Sequence, residues 1–162
     1  LVILCGRACD PANTALIIAS KMATWGRNAT SSRLPLVLVV EDDPETRQFY
    51  SDALAREGFA IDQAHNGHQA LAKALALTPD LILTDIAVPG MDGIELCRRL
   101  RADVRTRMVP VLAVTGYGDR HYPDRARGAG ADHVLIKPCD PDMLVREARR
   151  LIDGQIGRAL AE

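Results

Sequence analysis

Val37-Leu38-Val39-Val40-Glu41-Asp42-Asp43-Pro44 places four aliphatic residues directly before three acids and a proline. The aliphatic run is short and rich in Val and Leu, as a strand buried on both faces of a parallel sheet should be. Asp43 then reads as the N-cap and Pro44 as the first residue of a helix reaching Glu57, where Gly58 ends it. Three later stretches repeat the arrangement: Leu81-Ile82-Leu83-Thr84-Asp85, Val111-Leu112-Ala113-Val114-Thr115 and Val134-Leu135-Ile136-Lys137-Pro138. In a parallel sheet all the carboxyl-terminal strand ends lie on one edge, and ligands bind there. Carboxylates, a hydroxyl and an ammonium therefore converge on one cleft, suited to a divalent cation and a phosphoryl group.

Outward from these runs the chain alternates strand with helix. Strands are expected at 36–41, 59–64, 81–84, 109–114 and 134–136, with helices at 44–57, 67–77 and 94–102. In the third helix Ile94, Cys97 and Leu100 or Arg101 fall at helical spacing. A fourth helix is compromised, since Pro123 fits only its first turn and Gly128 and Gly130 end it early. Asp140-Pro141 repeats the cap signature before a last helix to about Ile152. Five alternations predict an α/β fold: a doubly wound, five-stranded parallel sandwich with right-handed crossovers.

The chain has 162 residues, which suits one domain with something left over. A net charge of −1 gives no argument for nucleic acid or membrane partners. Residues 1–34 are the basic end, with Arg7, Lys21, Arg27 and Arg33 against Asp10 alone. They read as an N-terminal extension or linker, partly helical from Asp10 to Trp25 with Ala15, Ile18, Met22 and Trp25 on one face, and Asn28 to Ser32 as linker. The domain proper is expected at 35–153 and a C-terminal tail at 154–162. Cys5 and Cys9 have no second pair and no nearby His, so with Cys97 and Cys139 they read as free thiols of a cytoplasmic protein. No apolar run approaches the ~18 residues needed to span a bilayer.

From 36 to 152 the chain resembles the receiver domain of two-component response regulators. The matching residues are Glu41-Asp42 after the first strand, Asp85 in Leu-Thr-Asp-Ile-Ala-Val-Pro-Gly-Met-Asp-Gly, Thr115 in Val-Thr-Gly-Tyr-Gly, and Lys137-Pro138. The resemblance implies a flavodoxin-like (βα)5 sandwich. It implies that Asp85 accepts a phosphoryl group from the phosphohistidine of a histidine kinase or histidine phosphotransfer domain. Mg2+ (or Mn2+) would be held by Glu41, Asp42, Asp85 and the backbone carbonyl of Ala87. Lys137 and Thr115 would engage the phosphoryl oxygens, and a cis peptide would precede Pro138. Such a module is not an enzyme acting on other molecules; it catalyses only its own phosphorylation and dephosphorylation. Its expected outputs are a downstream protein at the face of the fourth helix, fifth strand and last helix, and a homodimer. No nucleic acid or membrane contact is expected from this chain.

Two departures bear on output. Many receivers carry Tyr or Phe three residues before the Lys, where this chain has Val134 beside His133, and Cys139 replaces a residue that is often aromatic. Tyr117 is placed near the cleft, while His65, His68, His121 and His133 read as surface polar residues and Met91 and Met143 as packing residues. Two other functions compete. A haloacid dehalogenase-type phosphohydrolase needs a second Asp two residues after its nucleophile on the first strand, whereas Asp85 lies on the third and is followed by Ile86-Ala87. A receiver-like scaffold without phosphotransfer would be expected to lack an acid or the Lys. The residues after the last helix are too few for an output domain, so the chain is expected to stand alone or to be a fragment of a larger hybrid kinase or regulator.

Overall fold

Five short aliphatic runs pair into one parallel sheet because both faces of each strand can be covered by helices. The computed structural model describes residues 33–116 and 121–159, with side chains through Gln155. The strands are β1 (Leu36–Val40), β2 (Ala60–Ala64), β3 (Leu81–Asp85), β4 (Val111–Thr115) and β5 (His133–Ile136), in the order β2-β1-β3-β4-β5. The helices are α1 (Pro44–Arg56), α2 (Gly67–Leu77), α3 (Gly93–Ala102), α4 (Tyr122–Gly128) and α5 (Pro141–Ala159). This is the flavodoxin-like order, with its reversal at the gap between β1 and β3. Leu34–Glu162 form one compact unit.

Side-chain alternation splits the core into two layers. Val37, Val39, Leu81, Leu83, Leu112, Val114 and Leu135 point to one face, where Tyr50 and Leu54 of α1 and Leu144 and Ala148 of α5 cover them. Leu38, Val40, Ile82, Val111, Ala113 and Val134 point to the other, beneath Ala70 and Ala74 of α2, Ile94, Cys97 and Leu100 of α3 and Ala126 of α4. Met91 belongs to this second layer, whereas Met143 is 41% exposed and joins neither layer of the core, contrary to the packing role expected of it.

Element starts follow side-chain chemistry. Asp43 caps α1 by accepting from the Thr46 N–H at 2.7 Å, as expected, and Asn66 and Asp92 do the same for α2 and α3. Gly58, at φ +90°, turns the chain out of α1. Two boundaries differ from the sequence expectation by more than one residue. β4 begins at Val111 rather than Val109, because Pro110 has no N–H for the ladder; its carbonyl still accepts from the Ile82 N–H. The last helix runs past Ile152 to Ala159, so residue 154 does not begin a tail. Gly154 lowers helix propensity without stopping the helix.

The expected helix from Asp10 to Trp25, the linker from Asn28 to Ser32, Cys5, Cys9 and Tyr117 lie outside the described residues. Among the described residues no helix is long and apolar enough to cross a membrane.

Candidate functional site

The gap between β1 and β3 places Glu41, one residue beyond β1, beside Asp85, the last residue of β3. Glu41 extends the ladder by donating its N–H to the Ala64 carbonyl at 3.1 Å, and its side chain is only 3% exposed as a residue. Asp42 follows on the exposed side of the turn. One carboxylate oxygen from each of Glu41, Asp42 and Asp85 lies within 4.8 Å of the others. Asp43 is turned away into its capping bond and takes no part in this cluster.

Lys137 leaves β5 and reaches past the end of β4 into the cluster. Its Nζ donates to Glu41 Oε2 at 2.6 Å and to Asp85 Oδ2 at 2.8 Å. The other Asp85 oxygen, Oδ1, accepts from the Ala87 N–H at 3.1 Å. Both oxygens of Asp85 are thus oriented before any ligand arrives. The backbone sets Lys137 in turn: its N–H donates to the Thr115 carbonyl at 2.7 Å, and its peptide to Pro138 is cis, as expected. Behind Asp85, α3 packs so closely that a Cβ on Gly93 would lie 2.6 Å from the Asp85 carbonyl oxygen. A side chain there would push α3 off the end of β3 that carries Asp85.

The electrostatics favour a cation. Burial pushes the Glu41 carboxyl above its usual 4.5, against the Lys137 hydrogen bond, and the charge of Asp85 adds to the rise. Burial pulls the Lys137 ammonium down, but its bonds to Asp85 and Glu41 outweigh this and hold it above 10.5. A buried carboxylate that resists ionisation, as Glu41 does, gains from a nearby positive ion. A donor set made only of hard oxygens fits Mg2+ or Mn2+.

Thr115 ends β4 and is buried, but its hydroxyl leans on the Gly116 carbonyl at 3.4 Å and joins neither Asp85 nor Lys137. Val134 is buried in the layer beneath α3 and α4, with the partly buried Tyr122 packed on the same layer and the Arg125 guanidinium 5.4 Å from the Tyr122 ring centre. No described histidine joins a metal-type cluster; His133 faces Glu147 at 3.7 Å. Cys97 is a buried free thiol, pushed up to about 11 by burial, and Cys139 is half-buried with its Sγ 3.6 Å from the Tyr50 hydroxyl.

One contributor was not read from the sequence. Arg47, one turn into α1, folds back over the acidic turn and donates through Nη1 to the carbonyls of Glu41 at 2.7 Å and Asp42 at 3.2 Å. Nothing in its spacing separates it from a solvent-facing helical arginine, so only the fold reveals it.

Residues 37–149 match the response regulator receiver domain family. The DNA-binding dual master transcriptional regulator RpaA of Synechocystis is 36% identical over 119 residues, covering 74% of this chain and 49% of that protein. The chain spans about half the length of the curated relatives it matches first. Among solved structures, a CheY-like receiver domain protein from Methanospirillum hungatei superposes with a TM-score of 0.73 at 28% identity, covering 78% of this chain and 99% of that one. The receiver domain of a sensor histidine kinase from Pseudomonas aeruginosa gives 0.70 at 29% identity, covering 75% and 99%, and carries a magnesium ion in its active-site cleft. The chain belongs to the response regulator receiver domain family of two-component systems.

Proposed function

We propose that this domain is a phosphorylation switch in which Asp85 accepts a phosphoryl group from the phosphohistidine of a histidine kinase or histidine phosphotransfer domain. The observation that carries the reading is the Lys137 ammonium shared between Asp85 and Glu41, with Asp42 beside them at the strand-end edge. An oxygen of Asp85 attacks phosphorus, the P–N bond breaks, and the imidazole departs with the electron pair, leaving an acyl phosphate. Mg2+ held by Glu41, Asp42, Asp85 and the Ala87 carbonyl would neutralise charge on the phosphoryl oxygens. Lys137 keeps its contact to the modified Asp85 through a phosphoryl oxygen, and Thr115 turns its hydroxyl from Gly116 to another.

The output is a change in binding at the face built from α4, β5 and α5. β5 is an edge strand, and Ile136 on it is half exposed, which leaves an apolar foothold for a downstream protein or a second copy. The domain acts within a larger regulator or hybrid kinase, or alone. The joined Asp85, Glu41 and Lys137 favour phosphotransfer over a passive scaffold.

Incubation with acetyl phosphate and Mg2+, followed by intact mass measurement, tests this. One added phosphoryl group is expected, dependent on the metal and absent from Asp85→Asn. Equal labelling of Asp85→Asn would defeat the assignment.

A further inference from the structure

We propose that Arg47 is a positioning residue for the cation site, holding the turn that carries Glu41 and Asp42 in its ligand-ready shape. The inference rests on the reading of Glu41, Asp42 and Asp85 as that site.

Only three residues, Glu41 to Asp43, separate β1 from α1. Beyond the Glu41 N–H the sheet ladder has ended, so the carbonyls of Glu41 and Asp42 need other partners. One guanidinium nitrogen serves both, at 2.7 and 3.2 Å. Each carbonyl belongs to the peptide unit that follows its acid, so fixing the two planes fixes how the two side chains leave the backbone.

The guanidinium is itself braced. Its Nε donates to Gln63 Oε1 on β2 at 3.4 Å. The Gln63 amide donates to the Ser51 hydroxyl at 2.9 Å, and that hydroxyl donates to the carbonyl of Arg47 at 2.7 Å. The chain of bonds closes on the residue where it began. Ser51 is buried and Arg47 half-buried, so the ring is partly shielded from water. A surface arginine held only by its charge would show no such closure. Preorganising ligands in this way removes ordering cost from the binding step.

The charge of Arg47 predicts the opposite of its geometry, and this makes the role testable. A guanidinium bound to the turn that carries Glu41 and Asp42 adds positive charge beside the site and competes with an incoming cation, so a purely electrostatic role means that Arg47→Gln tightens Mg2+ binding. A positioning role means that Arg47→Gln weakens it. Mg2+ binding measured by calorimetry on the full chain, with the folded state checked by thermal melting, should show the dissociation constant rising about tenfold, as for loss of one charge-assisted hydrogen bond. Gln63→Leu keeps the guanidinium charge and removes its brace, so it should weaken Mg2+ binding in the same direction by a smaller factor. If Arg47→Gln fails to fold, Gln63→Leu decides alone. Unchanged or tightened Mg2+ binding in the folded variants overturns the role of Arg47 and leaves the site reading intact. Absence of Mg2+ binding by the unaltered chain overturns both.

Discussion

Around the sheet's reversal between β1 and β3 the groups of the site are already joined, Lys137 reaching in from the end of β5, whereas the hydroxyl at the end of β4 stands apart. Glu41, Asp85 and Lys137 share two short hydrogen bonds, and Arg47 ties down the turn beside them. The hydroxyl of Thr115, at the end of β4, makes a long contact to the Gly116 carbonyl and, among the described residues, reaches neither Asp85 nor Lys137. The helices show the same contrast. Each of α1, α2 and α3 begins under a side-chain cap, from Asp43, Asn66 and Asp92. α4 is seven residues long and begins without a side-chain cap bond. Chemistry needs fixed ligands and a fixed nucleophile. A signal needs an element that can be moved at small cost, and low-stability elements supply it. On the proposed function, the first task would fall to the joined groups and the second to the end of β4 and α4.

The strongest way to break this comparison is to remove the proposed phosphoacceptor from the joined half. Asp85→Asn should reduce phosphoryl incorporation from one per chain to none, read by intact mass after acetyl phosphate treatment. The variant should stay folded, because Asn keeps the volume and an oxygen for the Ala87 N–H.

Lys137→Met probes the same half through stability. Glu41 would remain buried without its ammonium, and breaking such a pair costs about 3 kcal/mol, measurable by urea unfolding at neutral pH. The pH dependence has a definite sign. The Glu41 carboxyl titrates above 4.5 in the folded state, so the native protein holds more protons than the unfolded chain just above that pH. This group's contribution therefore makes stability fall as pH rises from 4.5 through the folded value. Removing Lys137 should raise that folded value further and widen the window. Lys137 itself titrates above 10.5 when folded, so its stabilisation is complete below 10.5 and disappears at higher pH. The double variant with Glu41→Gln should recover most of the loss.

The two halves also differed in how far the sequence disclosed them. The aliphatic runs with polar ends disclosed β1, β3, β4 and β5, the edge on which Glu41, Asp85, Thr115 and Lys137 meet, and the cap at Asp43. These are local signals, carried by residues adjacent in the chain. Contacts made across the fold left no such trace. The Lys137 bond to Glu41 spans 96 positions, and the closed ring through Arg47, Ser51 and Gln63 depends on how α1 lies over β2. The last helix is expected from the sequence to end at about Ile152, yet α5 continues through Gly154 to Ala159, because one glycine costs only about 1 kcal/mol of helix propensity. The missing aromatic at Val134 was plain in the sequence, but the ring packed on the same layer, Tyr122, comes from α4 and could be placed only by the fold.

A finer cut within the joined half separates neighbouring acids. Asp42→Asn removes a charge from the cluster and should weaken Mg2+ binding at least about tenfold. Asp43→Asn keeps an oxygen for the Thr46 N–H, and Asn is as good an N-cap as Asp. Its effect on Mg2+ should stay within about twofold. If calorimetry shows the larger loss at Asp43, the ligand assignment is displaced by one residue.

The smallest expected effect lies in the unjoined half, and it bears most directly on output. Phosphorylation of Asp85 adds oxygens within reach of Lys137, and their charge offers Thr115 a stronger partner than the Gly116 carbonyl. If that hydroxyl turns, Val134 has no ring to swing inward, so the adjustment is expected to fall to Tyr122, packed on the same layer, and to the short helix that carries it. Pro123, Gly128 and Gly130 give this segment weak intrinsic helicity, and reordering it costs little. Hydrogen exchange with and without a beryllofluoride phosphate mimic should therefore change by about threefold or more over residues 121–130. The capped starts of α1, α2 and α3 should change less. Tyr122→Ala should mute the response at α4 while leaving phosphoryl incorporation at Asp85 intact. Unaltered exchange across 121–130, with changes confined to the face of α2 and α3, would show that the two halves do not divide the work in this way.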